Sequence, residues 1–167
     1  MTNLKLLNAN SKKLEKASKG IREFISNILD ESSFVETDVF MAGISYIDGS
    51  EALGEGVVTG YGTLNDYPVT IVAQNNEVLG CSLSKAQADK ILNAISRAAK
   101  TNTPLISVID SKGARVGEGV AVLEGYAKII TEATNLKNFV PHIAIIKGNS
   151  VGLMSAYAHA ADFVFMS

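Results

Sequence analysis

The chain has one cysteine, Cys81, two histidines and no tryptophan. A single thiol cannot close an intrachain disulfide, and cysteine ligands for a zinc or iron–sulfur centre are missing, so no metal is expected. Thiol poverty of this kind fits a reducing, cytoplasmic compartment. Long apolar runs are absent too. None approaches the ~18 residues that a membrane span requires, and the first thirty residues mix charged and apolar positions where a signal peptide would have an apolar block. Nor is there an excess of either charge. Fifteen Lys and Arg against seventeen Asp and Glu leave a formal net charge of −2, which gives nucleic acid no basic field to bind. Walker and Gly-x-Gly-x-x-Gly patterns are missing in any proper context, and Ser155 does not sit in a Gly-x-Ser-x-Gly elbow. His142 follows Pro141 and His159 lies in an alanine-rich segment; neither belongs to a nucleophile motif, and both read as structural.

What is present is an apolar fraction of 47% with 19% charged residues over 167 positions, enough for one buried core. From Ser11 to Asp30 the residues Leu14, Ala17, Ile21, Phe24, Ile25 and Ile28 recur at helical spacing, giving an apolar face that either covers the core or meets a partner. From Glu31 to Ala52 no period survives, and Ser32, Ser33, Asp48, Gly49 and Ser50 read as loop. Gly56–Leu64 and Pro68–Gln74 are β-rich runs around Asn65-Asp66-Tyr67, which predicts a hairpin. A third short run, Glu77–Cys81, precedes Ser84-Lys85-Ala86-Gln87, a capping-box pattern that starts a helix reaching about Thr101, with Pro104 as the stop. Thereafter strand (105–109), helix (about 117–136), strand (143–146), helix (153–161) and strand (163–166) alternate. Nearly continuous apolar strands in that order predict an α/β fold with a parallel sheet buried on both faces.

Ligands of such sheets bind beyond the carboxyl ends of the strands. Two glycine-bearing connections qualify: Asp110-Ser111-Lys112-Gly113-Ala114-Arg115-Val116-Gly117-Glu118-Gly119, and Lys147-Gly148-Asn149-Ser150-Val151-Gly152-Leu153. Free backbone N–H groups at two adjacent helix starts can form an oxyanion hole, and a thioester held there can lose its α-proton to give an enolate. The glycines could equally serve tight turns and close packing. Arg115 could pair with Glu118 or meet a phosphate. Lys112 could be solvated or act as a charged tether. Cys81, at an apolar junction, reads as packing.

The order of motifs adds to this. Gly54-Glu55-Gly56-Val57-Val58-Thr59-Gly60-Tyr61-Gly62-Thr63, Val78-Leu79-Gly80-Cys81-Ser82-Leu83, Asp110-Ser111-Lys112-Gly113-Ala114-Arg115 with Glu118-Gly119-Val120, and Asp162-Phe163-Val164-Phe165-Met166 follow one another here. Together with Ile28 to Glu36, they resemble, over residues 20 to 166, the N-terminal half of acyl-CoA carboxyltransferase subunits of the propionyl-CoA and acetyl-CoA carboxylase type. The resemblance implies a crotonase/ClpP-like ββα spiral, present here as a partial domain: residues 1–30 as an N-terminal helical segment and 31–167 as the N-terminal portion of a carboxyltransferase domain. It implies acyl-CoA as substrate, with Gly113, Ala114, Gly152 and Leu153 shaping the thioester hole and Lys112, Arg115 and Gly148 contacting the CoA. It also implies carboxybiotin on a separate biotin carboxyl carrier, a biotin-binding carboxyltransferase half from a neighbouring subunit, and a homo- or hetero-oligomer. The chain departs from the family pattern at Lys112 and Leu153, where the family has glycine. Without the second half, an isolated chain is expected to be inactive. A thioester decarboxylase component and a non-catalytic assembly module are the rival readings.

Overall fold

The computed structural model describes residues 3–44 and 51–167. The expected loop residues Asp48, Gly49 and Ser50 lie outside them. The single helix expected over residues 11–30 is two helices, α1 (Asn3–Ala17) and α2 (Lys19–Ile28), because Ser18 leaves helical geometry at φ −118°, ψ 19°. The apolar face of α2 covers the core: Ile21 and Ile25, with Leu29, pack on Val58, Val69, Ile71, Ala73, Ile106 and Val108.

Eight strands follow: β1 (Val35–Thr37), β2 (Ala42–Ile44), β3 (Glu51–Leu53), β4 (Val57–Leu64), β5 (Tyr67–Gln74), β6 (Leu105–Ser111), β7 (His142–Ser150) and β8 (Phe163–Met166). Between them run α3 (Lys85–Thr101), α4 (Val120–Leu136) and α5 (Leu153–His159). The main sheet has the order β1-β4-β5-β6-β7-β8, and β2 with β3 forms a separate antiparallel pair. The first three short strands have only three residues each, too few for a period to register in the sequence.

The sheet is mixed, not wholly parallel. β1, β4 and β5 are antiparallel neighbours and β5 to β8 are parallel. The hairpin accounts for the difference, since a connection of Asn65 and Asp66, both at positive φ, can join only antiparallel strands. Both turn N–H groups donate to the Asp30 carboxylate at 2.9 Å.

From β5 onward the strand order in space is the order in sequence, so successive right-handed crossovers put α3, α4 and α5 on one face. Their buried residues, among them Ile91, Ile95, Tyr126, Ile129 and Tyr157, form one cluster with Leu105 and Ile109 of β6. The opposite face carries α2. Half of the predicted capping box is present: Ser84 Oγ accepts from the Gln87 N–H at 2.9 Å, but the Gln87 side chain turns inward instead of back to the cap. Among the described residues no helix is long and apolar enough to cross a membrane.

Candidate functional site

Both strands bordering the predicted site are longer than the sequence suggested. β6 continues to Ser111 and β7 to Ser150, and these two residues are in register. The Val151 N–H donates to the Ser111 carbonyl at 3.2 Å, bringing the second connection against the first. Gly113, at φ +98°, lies so close that an added Cβ would sit 3.5 Å from both Val151 Cγ1 and the Val151 carbonyl oxygen. Gly152 has φ 64° and ψ −132°, a region that residues with a Cβ avoid, and an added Cβ would meet nothing within 4 Å. Its glycine is thus demanded by the backbone, and the space before it is open. Gly119, at the start of α4, repeats that conformation at φ 58°, ψ −132°. Leu153 is exposed at the first position of α5.

The first connection is held as a strand against residues 80–83. Lys112 N–H donates to the Gly80 carbonyl (3.0 Å), Leu83 N–H to the Gly113 carbonyl (2.8 Å) and Arg115 N–H to the Leu83 carbonyl (2.9 Å). The last two make a parallel bridge between Leu83 and Ala114. In such a bridge the N–H and C=O of the bridged residue point away from its partner strand, so the Ala114 N–H faces away from Leu83, at an exposed residue between two buried ones. The Gly113 N–H is turned to Ser111 Oγ, at 3.2 Å.

Beneath this segment lie two left-handed turns. Gly54, Glu55 and Gly56 have φ of 73°, 54° and 68°; Leu79, Gly80 and Cys81 have 49°, 62° and 44°. Glu77–Cys81 is therefore a turn, where a short run of β-type residues was expected. For the three residues with a Cβ the left-handed geometry costs roughly 1–2 kcal/mol each, offset by a dense set of buried bonds. The Cys81 thiol donates to the Gly56 carbonyl at 3.0 Å, and Ser111 Oγ donates to the Cys81 carbonyl at 2.6 Å. Burial pushes the Cys81 thiol up to about 12, so it stays protonated and unreactive. Lys90 is buried and its ammonium donates to the Val57 carbonyl at 2.7 Å; burial pulls its pKa down to about 8. At the centre is Glu55, 0% exposed, whose carboxylate accepts from the Gly43 N–H (2.6 Å), from Ser84 Oγ (2.7 Å) and from Arg115 Nη1 (2.7 Å).

Of the residues expected to contact the CoA, Arg115 and Gly148 lie against carboxylates and Lys112 is exposed. Arg115, 5% exposed, pairs with Glu55 and with Glu118 (3.4 Å) and donates to the Ser82 carbonyl (3.2 Å). The guanidinium is thus a clamp between the Glu55 and Glu118 carboxylates, the second being the partner that the sequence offered. Lys112 is exposed, with its stem across Gly80, where an added Cβ would lie 2.7 Å from Lys112 Cδ. Gly148 leaves room for the Asp110 carboxylate, which accepts from Asn76 Nδ2 (2.7 Å) and the Asn149 N–H (2.9 Å). A Cβ at 148 would come within 2.5 Å of that carboxylate. Gly148→Ala is expected to lower unfolding free energy by about 1–3 kcal/mol, as overpacking does; a urea midpoint equal to the parent's would refute this reading.

Sequence reasoning passed over Glu55, Ser84 and Ser111 as parts of the site. A signal existed in Gly54-Glu55-Gly56, a carboxylate between two glycines at the entrance to an apolar strand. Among the described residues no group of three or more His, Cys, Asp or Glu side chains is arranged to hold a metal ion.

An α/β sheet with helices stacked on one face, and two glycine connections meeting over parallel strand ends, defines a protein of the crotonase-like class. Within that class, residues 12–167 match the model of the carboxyl transferase domain, and the chain belongs to that family. It is 37% identical over 159 residues to the propionyl-CoA carboxylase beta chain of Saccharopolyspora erythraea, covering 93% of this chain and 29% of that protein. It is 38% identical over 148 residues to the methylmalonyl-CoA decarboxylase subunit alpha of Veillonella parvula, covering 87% of this chain and 29% of that one. The crystal structure of transcarboxylase 12S with methylmalonyl-coenzyme A and methylmalonic acid bound superposes with a TM-score of 0.89 at 31% identity, over 98% of this chain and 35% of that one. The chain thus spans about a third of the length of these relatives.

Proposed function

We propose that this chain is the acyl-CoA-binding part of a biotin-dependent carboxyltransferase, which moves CO2 to or from the α-carbon of an acyl-CoA thioester through an enolate. The observation that carries the reading is the pairing of the two connections: Ala114 presents an N–H turned away from Leu83, and its neighbour Gly113 lies against Val151, the residue directly before Gly152. Donors fixed in this way favour negative charge on the thioester oxygen as it develops on loss of the α-proton, and they need no reorganisation during reaction. Gly113 and Leu153 shape the walls of the hole. Lys112, exposed at its rim, is the one cationic side chain of the first connection left to meet a CoA phosphate.

Carboxybiotin on a separate carrier protein supplies the CO2. The residues described here are assigned to the acyl side alone, and the biotin-binding half, in a homo- or hetero-oligomer, belongs to another part of the assembly. Residues 31–167 then form the N-terminal portion of the carboxyltransferase domain, with 1–30 as its helical lead, in a cytoplasmic enzyme. Similarity to a carboxylase chain and to a decarboxylase subunit at nearly equal identity favours the thioester as the shared substrate and leaves the direction of transfer to the rest of the enzyme.

Calorimetric titration tests this. Acetyl-CoA and propionyl-CoA are expected to bind about fivefold or more tighter than free CoA, the worth of one or two net hydrogen bonds to the thioester oxygen. Equal binding of CoA and thioester by the folded protein would reject the oxyanion reading, and no binding of either would favour an assembly module.

A further inference from the structure

The mechanism above uses the backbone at Ala114 but gives no part to the buried charges beneath it. Glu55 sits in a left-handed turn that a residue with a Cβ rarely adopts, and it is the fully buried one of the two carboxylates on Arg115. Strain kept at a buried charge points to a requirement on geometry. The contacts show which geometry. One Glu55 oxygen is fixed from the Gly43 side at 2.6 Å, and the other meets both Ser84 Oγ and Arg115 Nη1 at 2.7 Å. Ser84 is the N-cap of α3, and Arg115 is the residue directly after Ala114. The same arginine also reaches the Ser82 carbonyl, next to Leu83, whose N–H and carbonyl bridge Ala114 from either side. A carboxylate at 55 therefore fixes both strands of the short bridge that decides where the Ala114 N–H points.

Resting on the thioester reading of the site, we propose that Glu55 is a positioning residue for carboxyl transfer, holding the Ala114 peptide through Arg115 in the orientation that stabilises the thioester oxyanion. It touches no reacting atom. Its effect falls on the transition state, where the oxygen carries most charge and the direction of the donor matters most.

The test uses the full-length enzyme in its native assembly. Glu55→Gln keeps the shape and the oxygen that faces Gly43 while removing the charge that fixes the guanidinium; Arg115→Lys keeps a charge but loses the fork. Glu36→Gln, which breaks the Arg22–Glu36 pair between α2 and the edge strand β1, is the control for lost stability alone. Two quantities are read: kcat and KM for the acyl-CoA, and the infrared carbonyl band of the bound thioester, which moves to lower frequency when an oxyanion hole polarises it. Glu55→Gln is expected to lower kcat about tenfold or more, within the range seen on loss of an oxyanion donor, with KM changed less than about twofold and the carbonyl band shifted back toward that of the free thioester. Arg115→Lys should behave alike, and Glu36→Gln should move neither quantity. Parent-like kcat and carbonyl band in either folded variant overturn the positioning role while leaving the thioester reading intact. A parent enzyme that binds acyl-CoA without moving its carbonyl band overturns the thioester reading, and this inference with it.

Discussion

Arg115→Met is expected to lower unfolding free energy by about 3–5 kcal/mol, the cost of leaving one partner of a buried ion pair unmatched. Glu55, 0% exposed, would retain only the Gly43 N–H and Ser84 Oγ as donors. The change is large beside the 5–15 kcal/mol that holds a typical domain together, so the urea midpoint should drop steeply. Lys85→Ala provides the contrast: its pair with Asp89 is exposed on both sides and its removal should leave the urea midpoint almost unmoved. If Arg115→Met costs no more than Lys85→Ala, the buried clamp does not matter to folding. Adding Glu55→Gln to Arg115→Met should restore part of the loss, because the stranded charge is then gone.

Acid should destabilise the fold through His142. This ring is fully buried at the start of β7; its Nε2 meets Ser107 Oγ at 2.9 Å, and Ser107 Oγ meets Tyr157 OH at 2.7 Å. Nδ1 has no hydrogen-bond partner among the described residues. Burial, opposed by Asp162 and aided by Lys137, holds the pKa at about 4, against 6.5 for an ordinary histidine. Between those values the unfolded chain binds a proton that the folded chain refuses. Stability is therefore complete above pH 6.5 and falls by about 3 kcal/mol as pH drops through that window to about 4. Chemical denaturation at pH 7 and at pH 4.5 measures the loss, and His142→Gln should flatten it. An unchanged pH slope in that variant would assign the acid sensitivity to carboxylates elsewhere.

The period of the apolar residues made the helices and the parallel strands legible, and Asn65-Asp66 made the hairpin so, because these features depend on near neighbours in the chain. The two glycine connections were legible for a similar reason: glycine where strand meets helix limits the backbone to a few uses. What the sequence hid depends on distant neighbours. Nothing local marks Arg115 as the partner of Glu55, sixty residues away, or turns Gln87 inward to the Glu55 carbonyl when its spacing from Ser84 fits a capping box. The Leu79–Cys81 turn was hidden because apolar side chains normally accompany extended chain, and its left-handed backbone is imposed by the bonds of Cys81, Ser111 and Lys112 around it. Gly148 is a further case: nothing in its neighbours along the chain shows that its missing side chain makes room for Asp110.

The order of the strands has a consequence for how the chain is made. From β5 through β8 each strand lies beside the one synthesised just before it, so no strand has to be threaded between two that are already paired. A nascent chain can extend the sheet in one direction as it emerges, with α3, α4 and α5 packing behind the advancing edge. Throughout that growth the newest strand is the unprotected one.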